Sequence, residues 1–76
     1  KFSRDIGEIY FKNSAFQESV EMFTKCISYT NDIADYYLKR GISYYNLGET
    51  DNAKPDLDKV ISLDPENKLA KEHLSK

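Results

Sequence analysis

The chain is similar to itself at a fixed distance along its length. When the sequence is shifted by 34 residues, Gly7 falls on Gly41 and Tyr10 falls on Tyr44. A period of this length is typical of stacked helical repeats, in which each unit is one pair of helices. We therefore expect an all-α fold that contains two helix-turn-helix units. The further matches are Phe23 with Leu57, Cys26 with Val60, Ile27 with Ile61 and the small residues Ser19 with Ala53.

Hydrophobic residues recur with helical spacing along almost the whole chain, and no stretch shows the alternation of a strand. We expect Gly48 to end the third helix and either Thr50 or Asp51 to cap the fourth. Pro65 is expected to end that helix, because proline disfavours a helical conformation in the residue before it. A fifth helix is expected to begin after Pro65. The apolar stripes are Ile6, Ile9 and Tyr10; Phe16, Val20, Phe23 and Ile27; residues 36–47; and Ala53, Leu57, Val60, Ile61 and Leu63.

Gly41 stands in the middle of a helical stretch, YYLKRGISYYNLGE. Glycine in a helix interior costs roughly 0.5–1 kcal/mol relative to alanine. We expect packing to offset this cost, with the first helix of each pair meeting the second most closely at Gly7 and Gly41. Ser19 and Ala53 are the small residues expected to face them.

Composition limits the possible functions. Lys and Arg number 11 against 13 Asp and Glu, and the absence of a basic stripe argues against nucleic-acid binding. The single cysteine excludes an internal disulfide and favours a reducing compartment, so we expect a cytoplasmic location. No apolar run approaches the roughly 18 residues of a membrane span, so we expect no membrane insertion of this segment. The chain begins at Lys1 and is expected to be a piece of a longer protein.

Few residues could support catalysis. Cys26 is expected to be a buried structural thiol and His73 a solvated surface residue. The acids of DLDKVISLD lack the ligand spacing of a calcium loop and fit a solvated helix face. We therefore predict that the chain is not an enzyme and takes no cofactor or metal.

The residues at repeated positions resemble those of the tetratricopeptide repeat (TPR) family. The pattern of that family runs through an aromatic residue, a Leu-Gly pair, a Tyr, an Ala, a Phe, an Ala and a Pro. Arg40 replaces the leucine in the second copy, while Ser3 and Asn31 replace the aromatic residue and the proline in the first. The matching residues are Tyr37, Gly41, Tyr44, Ala53, Leu57, Val60 and Pro65 in the second copy and Ile6, Gly7, Tyr10, Ser19, Phe23 and Cys26 in the first.

The resemblance implies a short right-handed α-solenoid. Residues 1–76 would form a single domain with repeat one at 1–33, repeat two at 34–67 and a terminal helix at 68–76, which is either a cap or a truncated third repeat. Leu69, Leu74 and Ala70 could cover the second repeat, with Lys68, Lys71, Glu72 and Lys76 facing water. We expect the stem of Arg40 to pack between helices while its guanidinium reaches water or an acid.

The resemblance also implies a concave groove lined by the first helix of each pair. Leu38, Ile42 and Tyr45 share one helix face. Two interpretations of this face stay open: Leu38 and Ile42 pack against neighbouring helices, or they form an apolar groove that accepts an extended peptide or an amphipathic helix, with Tyr45 as its best anchor. The groove residues are Arg4, Glu8, Phe11 and Lys12 from the first helix, Asp35, Leu38, Ile42, Tyr45 and Asn46 from the third, and Leu69 and Glu72 from the last.

The sequence therefore favours a protein-binding scaffold or adaptor, with two alternatives. Co-chaperone members of the family bind the acidic C-terminal tails of heat-shock chaperones through a clamp of Lys, Asn, Asn, Lys and Arg. Glu8 would repel a terminal carboxylate there, and Leu69 supplies no charge. The second alternative is self-association through an apolar end near Leu57, Ile61, Leu69 and Leu74. The residues at the clamp positions are Arg4, Glu8, Lys39, Leu69 and His73.

Overall fold

Five α-helices follow one another along the chain. The computed structural model describes residues 2–75, and for residues 2 and 3 it describes the backbone only. No strand occurs between residues 2 and 75. The expectation of an all-α fold is thus confirmed, and the helices form a helical-repeat solenoid. The helices are α1 (Phe2–Lys12), α2 (Phe16–Tyr29), α3 (Ala34–Asn46), α4 (Thr50–Leu63) and α5 (Lys68–Leu74).

The helix ends mostly follow the turn signals of the sequence. Gly48 follows Leu47, the C-terminal cap residue of α3, and adopts a φ of 80°, in the left-handed region that glycine enters without strain. The helix α4 ends at Leu63, ahead of Pro65, as expected. The predicted cap of α4, Thr50 or Asp51, was wrong by one or two residues. Glu49 is the cap because its carbonyl accepts hydrogen bonds from the N–H groups of Asn52 and Ala53, and no side chain completes the cap.

The helices pack mainly on their neighbours in sequence. The helix α1 packs on α2, α3 lies between α2 and α4, and α5 packs on α4. In the described part of the chain, no helix is both long enough and apolar enough to cross a membrane.

Each helix pair closes around a glycine, but not around the small residues that the sequence suggested. A Cβ atom at Gly41 would lie 3.1 Å from the Cγ atom of Leu57, and one at Gly7 would lie 3.0 Å from the Cε2 atom of Phe23. Close approach at these two glycines is therefore confirmed. The prediction that Ala53 and Ser19 face them was wrong, because the contact falls one helical turn further along the second helix of each pair.

The short helix α5 covers one end of the second repeat. Ala70 is fully buried in a core cluster that includes Leu57 and Val60, and Leu74 packs against this cluster. Leu69 does not share this role, because it is 49% exposed. The expectation that Leu69 covers the second repeat was therefore wrong. Lys68, Lys71 and Glu72 are exposed as predicted, and Lys76 lies outside the described residues.

An ion pair between half-buried Arg40 and buried Asp56 joins α3 to α4. The Nε and Nη2 atoms of Arg40 donate to the two carboxylate oxygens of Asp56, both at 2.7 Å, and Nη1 donates to Thr24 Oγ1 at 3.2 Å. The hydrogen bond to Asp56 raises the pKa of Arg40 above its ordinary value. Arg40 thus reaches an acid as expected, but Asp56 is buried rather than part of a solvated helix face. Asp56 can be buried because the Arg40 guanidinium neutralises its carboxylate and donates hydrogen bonds to both of its oxygens.

Candidate peptide-binding groove

The first helices of the successive pairs, α1, α3 and α5, lie side by side. Contacts run from α1 to α3 and from α3 to α5. Two contacts between side chains mark the two seams. Lys39 of α3 lies near Phe11 of α1, and Tyr45 of α3 lies against His73 of α5. We call the surface along these seams the inner face. Its defining residues are Glu8, Phe11, Asp35, Lys39, Tyr45, Leu69 and His73.

A lysine held by two acids occupies the seam between α1 and α3. The Lys39 ammonium nitrogen lies 3.0 Å from each carboxylate oxygen of Asp35 and 3.9 Å from Glu8 Oε2. The same nitrogen lies 5.8 Å from the centre of the Phe11 ring. The structure therefore brings together three of the predicted groove residues: Glu8, Phe11 and Asp35. Lys39 was not among the predicted groove residues, although its spacing of four residues from Asp35 on a helix is a readable signal for an ion pair.

Leu38 and Ile42 lie beneath the inner face rather than on it. Leu38 is 7% exposed and Ile42 8% exposed, and both belong to the core cluster around Leu57 and Val60. This burial corresponds to the first interpretation of the α3 stripe, in which these side chains pack against neighbouring helices. The apolar surface that remains open to a ligand comes from half-buried Phe11 and Tyr45 and from exposed Leu69.

The seam between α3 and α5 is aromatic. The rings of Tyr45 and His73 meet edge to face with their centres 5.2 Å apart. His73 Nδ1 also lies 2.8 Å from the carbonyl oxygen of Leu69. His73 is therefore half-buried and packed, and the expectation of a solvated histidine was wrong. A cavity of about 210 Å³ opens beside this ring pair and reaches Leu57 and Leu74.

The remaining predicted groove residues surround this centre. Arg4 is largely exposed and lies 3.8 Å from Asp5, while Lys12 and Glu72 are exposed. The Asn46 side chain turns back and donates to the carbonyl oxygen of Ile42 at 2.9 Å. These positions place Arg4, Lys12 and Glu72 in solvent, where their charges can meet a ligand only at the rim.

The only cysteine of the chain is a buried free thiol. Cys26 lies in α2, and burial raises the pKa of its thiol above the ordinary value. This confirms the expected buried structural cysteine. Among the described residues, no group of histidine, cysteine and acidic side chains is arranged to hold a metal ion.

The fold and the inner face define a helical-repeat protein of the class that binds other proteins. Two family models described as tetratricopeptide repeat match residues 34–67 and 5–33. The chain belongs to the tetratricopeptide repeat family. It is a protein-interaction module of that family.

Several curated proteins share similarity with this chain over short parts of their length. The NADPH oxidase activator of Dictyostelium discoideum is 31% identical over 62 residues, which are 82% of this chain and 10% of that protein. An Hsp70-Hsp90 organising protein of Plasmodium falciparum is 33% identical over 61 residues, or 80% of this chain and 24% of that protein. An FK506-binding protein-like relative in Rattus norvegicus is 47% identical over 38 residues, or 50% of this chain and 11% of that protein. The chain thus spans a quarter or less of the length of these relatives.

Proposed function

We propose that the inner face binds an extended peptide or an amphipathic helix of a partner protein. The observation that supports this proposal is the placement of half-buried Phe11 and Tyr45 at the two seams between α1, α3 and α5. Leu69 adds exposed apolar surface on the same side of α5 as His73, because residues four apart share a helix face. Tyrosine is enriched among the residues that dominate binding energy at interfaces, so Tyr45 is the principal anchor.

The buried residues of this region support the surface rather than contact the ligand. Leu38 and Ile42 pack in the core beneath Phe11 and Tyr45 and hold α3 in place. The charges of Arg4, Lys12 and Glu72 lie at the rim, where single charges affect the rate and specificity of association more than affinity. Asp35 and Glu8 fix the position of Lys39 beside Phe11.

The test is selection of binding peptides from a displayed random library, followed by titration calorimetry with matched variants. Leu69→Lys places a charge on the inner face, whereas Leu63→Lys makes the same change at a leucine of similar exposure on α4. We expect Leu69→Lys to weaken binding at least several-fold and Leu63→Lys to leave it unchanged. Equal effects of the two changes, or failure of the library to yield a binder, would contradict the proposal.

Amide chemical shifts measured during the same titration show independently which helices contact the ligand. Binding at the inner face shifts signals from α1, α3 and α5. Shifts restricted to α2 and α4 would place the binding surface on the opposite side of the molecule.

A second candidate is a receptor for the acidic C-terminal tails of heat-shock chaperones. The similarity to proteins named Hsp70-Hsp90 organising protein favours it. The position of Lys39 opposes it, because two carboxylates of the same chain already surround this ammonium group. General peptide or helix binding is therefore better supported than binding of chaperone tails.

The module works by binding without catalysis, and it works in the cytoplasm, where the free thiol of Cys26 suits a reducing environment. Fractionation of cells that express the full-length protein tests the location. Self-association through the end near Leu57 and Ile61 receives little support, because α5 leaves Leu57 only 2% exposed.

A further inference from the structure

The seam between α1 and α3 brings two carboxylates to one ammonium group. Asp35 is the closer acid, because both of its carboxylate oxygens lie 3.0 Å from Lys39 Nζ. The Oε2 atom of Glu8 lies 3.9 Å from the same nitrogen, which is beyond hydrogen-bond distance. The seam therefore carries one negative charge in excess, and that charge belongs to Glu8.

Glu8 is open to a ligand. Its side chain is 37% exposed, whereas that of Lys39 is 21% exposed. Two other bases, Arg4 and Lys12, stand four residues to either side of Glu8 on α1, but both are exposed to water, where ion pairs contribute little. Arg4 also lies 3.8 Å from Asp5. Glu8 is thus the charge of the inner face that a cation of the ligand can neutralise most directly.

The apolar surface of Phe11 lies next to this carboxylate. Glu8 and Phe11 are three residues apart in α1, so their Cβ atoms are about 5–6 Å apart on one side of the helix. Phe11 is half-buried, and the centre of its ring lies 5.8 Å from Lys39 Nζ. A ligand that covers the Phe11 ring with an apolar side chain therefore brings a second side chain within reach of Glu8.

We propose, on the basis of the binding function proposed above, that the partner segment carries an arginine near the apolar residue that covers Phe11, and that this arginine binds Glu8. Arginine suits the site better than lysine, because a guanidinium donates two parallel hydrogen bonds to a carboxylate and also stacks on aromatic rings. With the arginine bound, the seam holds two acids and two bases, and its charges balance. The ligand is thus a basic peptide with an apolar anchor.

The short distance between Glu8 and Phe11 also limits where the arginine stands in the ligand. Side chains on one face of an extended peptide are two residues apart, about 7 Å along the chain. On one face of a helix they are three or four residues apart. We therefore expect the arginine two residues from the apolar anchor in an extended ligand, and three or four residues from it in a helical ligand.

Selection from a displayed random peptide library tests the charge preference. The unaltered chain should enrich peptides with an arginine two to four residues from a large apolar residue. Glu8→Arg reverses the charge at the seam and should enrich aspartate or glutamate at the same spacing. Glu21→Arg makes the same change at an exposed position of α2 and should leave the arginine preference intact. A preference for arginine that Glu8→Arg leaves unchanged would overturn the proposal.

A double-mutant cycle on one selected peptide measures the contact itself. Citrulline has the shape of arginine without its charge, so replacing the arginine of the peptide with citrulline removes the ion pair. We expect this replacement to weaken binding to the unaltered chain about five-fold, as for a partly exposed ion pair, and to leave binding to Glu8→Gln unchanged. An equal effect on the two proteins would overturn the proposal.

Failure of binding at the inner face and failure of the arginine contact give different results. A library that yields no binder, or binders whose amide shifts lie outside α1, α3 and α5, would contradict binding at the inner face and the arginine contact together. Binders that shift signals of these helices but show no enrichment of arginine would overturn only the basic character of the ligand.

Discussion

At the scale of the residue, a charged pair stands where this family usually places a leucine. Arg40 and Asp56 share two hydrogen bonds at 2.7 Å and are mostly shielded from water. Taking two charges out of water is expensive, and good geometry is needed to offset that expense. The bidentate geometry meets this requirement. The pair therefore specifies how α3 sits on α4 more than it adds to stability.

Removing one member of the pair should destabilise the fold more than replacing both members. We expect Asp56→Ala to lower the free energy of unfolding by about 1–3 kcal/mol, because it leaves a half-buried guanidinium without its acid. The double variant Arg40→Leu/Asp56→Ala should recover much of this loss. Urea denaturation of the two variants measures the difference. Equal stability of the single and double variants would show that packing of the aspartate, rather than its charge, is what matters.

At the scale of the element, the two glycines set the distance between paired helices. A Cβ atom at Gly41 would lie 3.1 Å from Leu57 and 3.2 Å from the Cβ atom of Asp56, which is tighter than ordinary contact. The neighbours have little freedom to move, because Leu57 is buried and Asp56 is held by Arg40. The close approach therefore outweighs the weak helix propensity of glycine.

Gly41→Ala tests the close approach clearly, because helix propensity and packing change the stability of this variant in opposite directions. Helix propensity alone would stabilise the variant by about 1 kcal/mol, whereas overpacking costs about 1–3 kcal/mol. We expect a net loss of stability in thermal or urea denaturation. Gly41→Ala/Leu57→Ala should lose less than the sum of its single changes, because the smaller side chain makes room for the methyl group. A gain in stability for Gly41→Ala would refute the close-approach argument.

The sequence predicted those properties that depend on local spacing. The repeat, the five helices and the close approach at Gly41 follow from periods and breakers that are visible in the chain. The facing residue was misjudged because spacing cannot tell which turn of α4 lies opposite the glycine. Asp56 and His73 were expected in solvent because their partners, Arg40 and Tyr45, are distant in sequence. Their burial depends on how the helices pack.

At the scale of the whole molecule, the charges near the inner face compensate one another. Lys39 sits between Asp35 and Glu8, and Arg4 lies near Asp5. An acidic peptide that approaches Lys39 or Arg4 therefore also meets a carboxylate beside it. This arrangement favours ligands that bind through apolar side chains over ligands that bind through a terminal carboxylate.

Binding of an acidic C-terminal peptide should depend on removing the two acids. We expect little affinity of the unaltered chain for such a peptide, and an increase in the variant Glu8→Gln/Asp35→Asn, which releases Lys39. Glu18→Gln/Glu21→Gln removes two exposed acids from α2 and serves as a control of equal net charge. Fluorescence anisotropy with a labelled peptide measures the affinities. Tight binding to the unaltered chain, lost in Arg4→Ala/Lys39→Ala, would favour the chaperone-tail function instead.

The polar contacts between α2 and α3 also restrict how a gene for such a protein can be rearranged. Recombination that placed a second copy of repeat one directly after the first would set Ile6 and Ile9 where Arg40 and Ser43 now stand. Ser19, which is fully buried, would then lose the Ser43 hydroxyl with which it forms a hydrogen bond. The two units share a backbone design, yet their order along the chain cannot be shuffled without leaving an unsatisfied polar group in the joint between them.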